Sequence, residues 1–91
     1  MEAENYDVIL DKKILKNVEK LPLRIQKKLN ALILELIEKG PIRYNWPNYS
    51  KLSKNKFHCH LDYHWVACWE LYNNQLTIEV YYVGTREKAP Y

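Results

Sequence analysis

Between Ile14 and Ile37 the apolar residues recur at intervals of three and four, whereas beyond Phe57 they fall at every second position. The first period is that of helices packed on one side, the second that of strands. Ile14, Leu15, Val18 and Leu21 form one apolar stripe, with Lys12, Lys13, Lys16, Glu19 and Lys20 outside it. Asp11 offers a side-chain oxygen to the free N–H groups at the start of that helix. Pro22 ends it and suits the first position of the next helix. Ile25, Leu29, Leu32, Ile33, Leu36 and Ile37 make a second stripe. Gly40 reads as a left-handed cap, and Pro41 forbids continuation. Two adjacent amphipathic helices form a hairpin that must cover something flat and apolar. A short β-branched run, Tyr6 to Leu10, precedes them as a first strand.

The flat surface comes from three further strands, Phe57 to Leu61, Trp65 to Tyr72 and Gln75 to Val83. Asn73-Asn74 reads as a two-residue hairpin turn, because Asn tolerates positive φ. That turn sets Tyr72 opposite Gln75, Leu71 opposite Leu76, Trp69 opposite Ile78 and Ala67 opposite Val80. One face then carries Trp65, Ala67, Trp69, Leu71, Leu76, Ile78, Val80 and Tyr82, and must lie under the helices. For Phe57, Cys59 and Leu61 to share it, the preceding hairpin needs an odd loop, Asp62-Tyr63-His64. An even loop would bury two imidazoles, which is costly. With the odd loop, His58 and His60 join Cys68, Glu70, Glu79 and Tyr81 on the face away from the helices. The expected fold is a single α+β domain over residues 1–91: an N-terminal strand and a two-helix hairpin packed on one face of a small, mainly antiparallel sheet.

Composition adds little except in its distribution. The chain has 91 residues, 47% of them hydrophobic, and a net charge of +3, so it is no disordered polyelectrolyte. Met1 to Gly40 is nearly balanced, with eight Lys/Arg against seven Asp/Glu. From Pro41 to Leu61 there is no acid, and Arg43, Lys51, Lys54 and Lys56 stand there unopposed. No run is apolar enough for a signal peptide or a membrane span. Cys59 and Cys68 therefore read as reduced, buried thiols of a cytoplasmic protein.

The basic stretch leads directly into His58 and His60, which project from one face of a strand because they are two residues apart. Fixed positive charge beside groups that titrate near neutral pH suits a phosphodiester. RNA can be cut without metal when its own 2′-hydroxyl attacks the adjacent phosphate. That reaction needs a base, an acid and cations for the phosphorane charge. His58, His60 and Glu79 can exchange protons, Tyr81 can act as a donor, and Arg86 with the lysines can clamp phosphate. Trp46, with Arg43, sits in a loop whose aromatics could stack on bases or close the end of the core. Two other readings of the histidines stay open: ordinary strand residues, or a metal pair completed by Cys68 or Glu70. No P-loop, Rossmann glycine pattern or nucleophile elbow is present.

Four segments carry a resemblance to a known family: G-P-I-R-Y-N-W-P-N-Y-S-K-L (Gly40 to Leu52), H-C-H-L (His58 to Leu61), W-V-A-C-W-E (Trp65 to Glu70) and Y-V-G-T-R-E-K-A-P-Y (Tyr82 to Tyr91). Together with the element order they resemble the RelE/ParE superfamily, the toxin halves of type II toxin–antitoxin pairs. The resemblance implies a ribosome-dependent endoribonuclease that cuts mRNA by 2′-OH attack and inhibits translation, with no metal and no small-molecule cofactor. It implies a cognate antitoxin, the ribosome and mRNA as partners, and no membrane. Arg86 falls at the family's arginine after the last strand, Tyr91 at its C-terminal tyrosine, and Lys51, Lys54 and Lys56 at its basic lead-in. Many relatives carry arginines where this chain has His58 and His60, which points to a histidine-based mechanism. Two alternatives share the fold: a ParE-like inhibitor of DNA gyrase, and a non-toxic RNA-binding relative.

Overall fold

The computed structural model describes residues 5–91. The elements are β1 (Asp7–Ile9), α1 (Lys12–Glu19), α2 (Leu23–Lys39), β2 (Ser50–Lys51), β3 (Lys56–His60), β4 (Trp65–Leu71), β5 (Thr77–Thr85) and a final 3-10 turn, Arg86–Lys88. They build one five-stranded sheet in the order β1-β5-β4-β3-β2. β1 runs parallel to β5 and every other pair is antiparallel. The helices cover one face, so the expected α+β arrangement is the one observed. β2, only two residues long, has no pattern by which a sequence could announce it.

Local chemistry explains the helix ends. Asp11 Oδ1 accepts from the Ile14 N–H at 2.9 Å, the expected N-cap. Pro22 sits one place earlier than expected, as the N-cap of α2 rather than its first helical residue. Gly40 has positive φ, as foreseen, but with φ +92° and ψ −169° it is extended rather than left-handed helical, a region essentially restricted to glycine. The core comprises Ile14 and Leu21, Ile25, Leu29, Leu32 and Leu36 from the helical side, and Phe57, Cys59, Leu61, Ala67, Trp69, Ile78, Val80 and Val83 from the sheet. Leu15, placed on the α1 stripe, is half-exposed; so short a helix buries only the narrow side that meets the sheet.

The β3–β4 hairpin has the odd loop. Phe57 pairs with Trp69, Cys59 with Ala67 and His60 with Val66, and the Leu61 N–H donates to the Trp65 carbonyl at 2.7 Å. Asp62 shapes this loop by accepting from the backbone N–H of His64 at 2.9 Å and of Trp65 at 3.3 Å. Its other carboxylate oxygen is paired with Arg24 of α2.

The β4–β5 register differs from expectation. Leu71 pairs with Ile78 and Trp69 with Val80, and the Tyr72 N–H donates to the Thr77 carbonyl at 2.8 Å, so the connection is the four residues Asn73 to Leu76. Asn74 Oδ1 captures the N–H groups of Leu76 and Thr77 at 2.8 and 3.0 Å. Those donors are thereby withdrawn from a tighter ladder, and the positive φ falls on Gln75, at +64°. Leu76, expected on the helix face, lies half-exposed in this loop. A second departure is a bulge. Trp69 pairs with Val80, yet Cys68 pairs with Tyr82, leaving Tyr81 as the extra residue of β5. Beyond it Val83 rather than Tyr82 faces the helices, because one inserted residue exchanges the faces of everything after it.

Gly40→Ala tests the backbone argument. A Cβ there would lie 2.8 Å from the Tyr6 ring on a backbone at φ +92°. The expected loss is about 1–3 kcal/mol of stability in a urea melt; an unchanged midpoint would show that the chain relaxes freely at this position.

Candidate functional site on the open face of the sheet

The face turned away from the helices is organised in rows across the strands. One row runs Ser50, His58, Cys68, Tyr82; the next along the strands runs His60, Val66, Gly84; on the other side lies Lys56, Glu70, Glu79. His58 and His60 therefore stand on the expected side, with ring centroids 5.9 Å apart.

His58 is not solvent-open, however. It is 7% exposed, because the Tyr91 ring lies over it at 4.4 Å between centroids. From the other side Ser50 Oγ approaches Nδ1 to 2.9 Å. Burial is the largest influence on the His58 pKa and, with the neighbouring His60, lowers it; a backbone hydrogen bond with Ser50 acts in the opposite sense. The imidazole is thus held neutral near pH 7, as a base requires. Burial also raises the Tyr91 phenol, so it remains a hydrogen donor.

The tail reaches this position by defined steps. Tyr82 lies over Gly84 and donates its phenolic proton to the Thr85 carbonyl at 2.6 Å; a Cβ on Gly84 would meet that hydroxyl at 2.7 Å. The Arg86 N–H donates to the His64 carbonyl at 2.9 Å. The 3-10 turn then redirects the last residues over β3. The C-terminal tyrosine and β3 thereby meet, although 33 positions separate Tyr91 from His58 in the chain (91 minus 58).

The other expected site residues divide. Lys56 lies on the open face, its ammonium 5.6 Å from the centre of Tyr81. Tyr81 is there too, its phenol pushed up to about 12 by burial and then by Cys68. Lys54 is exposed in the β2–β3 loop. Lys51 pairs with Phe57, a core residue, and its ammonium stands 6.0 Å from that ring, so it belongs to the helix side. Arg86 places its guanidinium over Tyr63 at 4.8 Å, with Nε 3.7 Å from Glu87; no hydrogen bond ties it to either imidazole. Glu79 is a correction. It lies two strands and one row from His58, about 12 Å away by sheet spacing, and accepts from Tyr72 at 2.6 Å. It is out of reach as a base.

For Arg43 and Trp46 the structure favours the second reading of their loop, closure of the end of the core. Both donate to Glu35 Oε1 of α2, at 3.1 and 3.0 Å, and Asn45 joins them at 2.9 Å. Burial alone would raise the Glu35 carboxyl; the hydrogen bonds from Asn45, Trp46 and Arg43 outweigh it and hold the pKa down. Trp46 packs against the core. These residues fix the loop to the helix rather than present themselves to a ligand.

Cys59 and Cys68 are free thiols on opposite faces, each pushed up to about 12, chiefly by burial. Among the described residues no group of three or more His, Cys, Asp or Glu could hold a metal ion, so the His pair lacks the further ligands a metal would need. Among them, too, no helix is long and apolar enough to cross a membrane.

Replacing the covering ring checks its effect. In Tyr91→Ala the His58 midpoint, followed by NMR titration, should rise toward that of an ordinary imidazole; no movement would mean that Tyr91 does not seal the ring. The same shift bears on stability. The unfolded chain protonates His58 at a higher pH than the folded chain, so stability should fall as pH drops below about 6.5. Urea midpoints between pH 5 and 7 should show a shallower slope in His58→Asn.

No protein-family model matches the sequence, and no curated protein sequence matches it. Solved structures do. A chain of the archaeal RelE–RelB complex from Pyrococcus horikoshii superposes with a TM-score of 0.73 at 14% identity, covering 93% of this chain and 99% of that one. The isolated E. coli RelE toxin gives 0.71 at 17% identity, over 93% and 88% of the two chains. A chain of the YoeB–YefM complex from Staphylococcus aureus gives 0.67 at 10% identity, over 89% and 97%. The chain has the RelE-like toxin fold.

Proposed function

We propose that this protein is the toxin of a type II toxin–antitoxin pair and cleaves mRNA on the ribosome in the cytoplasm. The observation that supports this most is the His58–Tyr91 pairing beside His60, on the uncovered face of a RelE-like sheet. An extended RNA strand lies across that face, and Tyr91 swings off His58 as the phosphate enters. Neutral His58 takes the 2′-hydroxyl proton. The 2′-oxygen attacks phosphorus, the bond to the 5′-oxygen breaks, and His60 returns a proton to that oxygen. The products are a 2′,3′-cyclic phosphate and a 5′-hydroxyl end.

Tyr91 then donates to a non-bridging oxygen, and Lys56, with Lys54 nearby, offsets phosphate charge. Arg86 contributes at the edge of the face, where it rests on Tyr63. Proton transfer of this kind is worth about 10²- to 10⁴-fold in rate. A cognate antitoxin would silence the protein by occupying this face.

Mapping transcript ends in translating extracts with added protein tests the reading. Cuts should fall at ribosomal A-site codons and drop by about 10²-fold or more in His58→Ala. Lys56→Ala should weaken action most at low salt and flatten its salt dependence, as lost phosphate contacts do. Intact transcripts with inhibited DNA gyrase would refute the nuclease and leave the gyrase-directed alternative.

A further inference from the structure

We infer that Ser50 is a positioning residue for His58: it accepts from Nδ1 and so leaves Nε2 free to take the substrate's proton. The inference rests on the assignment of His58 as base. β2 is the least substantial strand in the sheet, two residues at an edge, yet it places Ser50 directly opposite His58. Ser50 is itself exposed and contributes nothing to the core, whereas the ring it meets is buried. Its Oγ lies 2.9 Å from Nδ1. A hydroxyl oxygen at that distance can accept from a protonated Nδ1, while the hydroxyl's own proton, on an exposed residue, turns to water.

The consequence is chemical. A neutral imidazole offers a lone pair at one nitrogen only, and the partner of the other nitrogen decides which. With Nδ1 protonated and held by Ser50, the basic lone pair is at Nε2. The pattern is nucleophile-independent: a third group orients the base, as in any base–orienter pair. The segment before β2 is anchored independently, by Trp46 on Glu35 and by Tyr49 stacked on Phe57 and Trp69. Ser50 is therefore presented to His58 by a fixed support.

The test is a long-range ¹H–¹⁵N spectrum of the full-length chain at neutral pH, paired with cleavage in the translating extract. Wild type and Ser50→Thr should show His58 with a protonated Nδ1 and a bare Nε2. Ser50→Ala should give a mixture of both tautomers and lower turnover on the order of ten-fold, with KM little changed. A protonated Nε2 in the wild type, or an identical spectrum in Ser50→Ala, would overturn the inference. A changed spectrum with unchanged cleavage would leave Ser50 as the orienting group and remove His58 as the base.

Discussion

The indole of Trp69 is the contact on which most of this molecule depends. It is fully buried in the central strand β4, and its N–H donates to the Pro41 carbonyl at 3.0 Å. Phe57 and Tyr49 are stacked against it, at 6.2 and 6.3 Å between centroids. One side chain thus joins the sheet, the end of α2 and the loop that follows. Aromatic burial of this size is the largest single-residue term available to a small core, and the indole donor would be costly to leave without a partner. Where that loop runs decides where β2 forms, and β2 decides what stands beside His58.

The open face is built on the opposite logic. Its chemistry depends on partial burial rather than on exposure. Tyr91 lies over His58 and Ser50 stands beside it; burial holds the imidazole neutral near pH 7, and the hydrogen bond with Ser50 only partly offsets this. Glu70 and Glu79 stay in a separate row with Lys56 and do not raise the histidine's proton affinity. Cys68, in the same row as His58, and the bulged Tyr81 beside it are neutral groups. Charge is kept at the margins, on Lys54, Lys56 and Arg86, where water screens it.

Much of this was legible in the sequence, for identifiable reasons. The α2 stripe, the Asp11 cap and the odd loop at Asp62 each followed from one dominant cost: exposing apolar surface, leaving helix N–H groups unpaired, or burying imidazoles. Glu79 was misplaced relative to His58 because faces can be read from a period of two, but distances across a sheet cannot. The Asn73-Asn74 turn failed because the Asn74 side chain competes with the backbone for the same N–H groups. Arg43 and Trp46 were open to misreading because their partner, Glu35, lies one helix earlier, and no periodicity links them. Ser50 carried no signal at all, since a single serine before three lysines looks like any loop residue.

The bulge at Tyr81 has a wider consequence for how substitutions in β5 are to be understood. Before it, even-numbered positions such as Ile78 and Val80 belong to the interior; after it, the interior position is the odd-numbered Val83. A strand with such a change of parity presents consecutive tyrosines to one side and still closes the hydrophobic layer on the other. Straightening the strand with every residue kept would leave the overall hydrophobicity unaltered, yet it would exchange Val83 for Tyr82 in the interior and carry the tail's anchor to the wrong side. Spacing here, more than residue type, holds the two surfaces of the sheet apart.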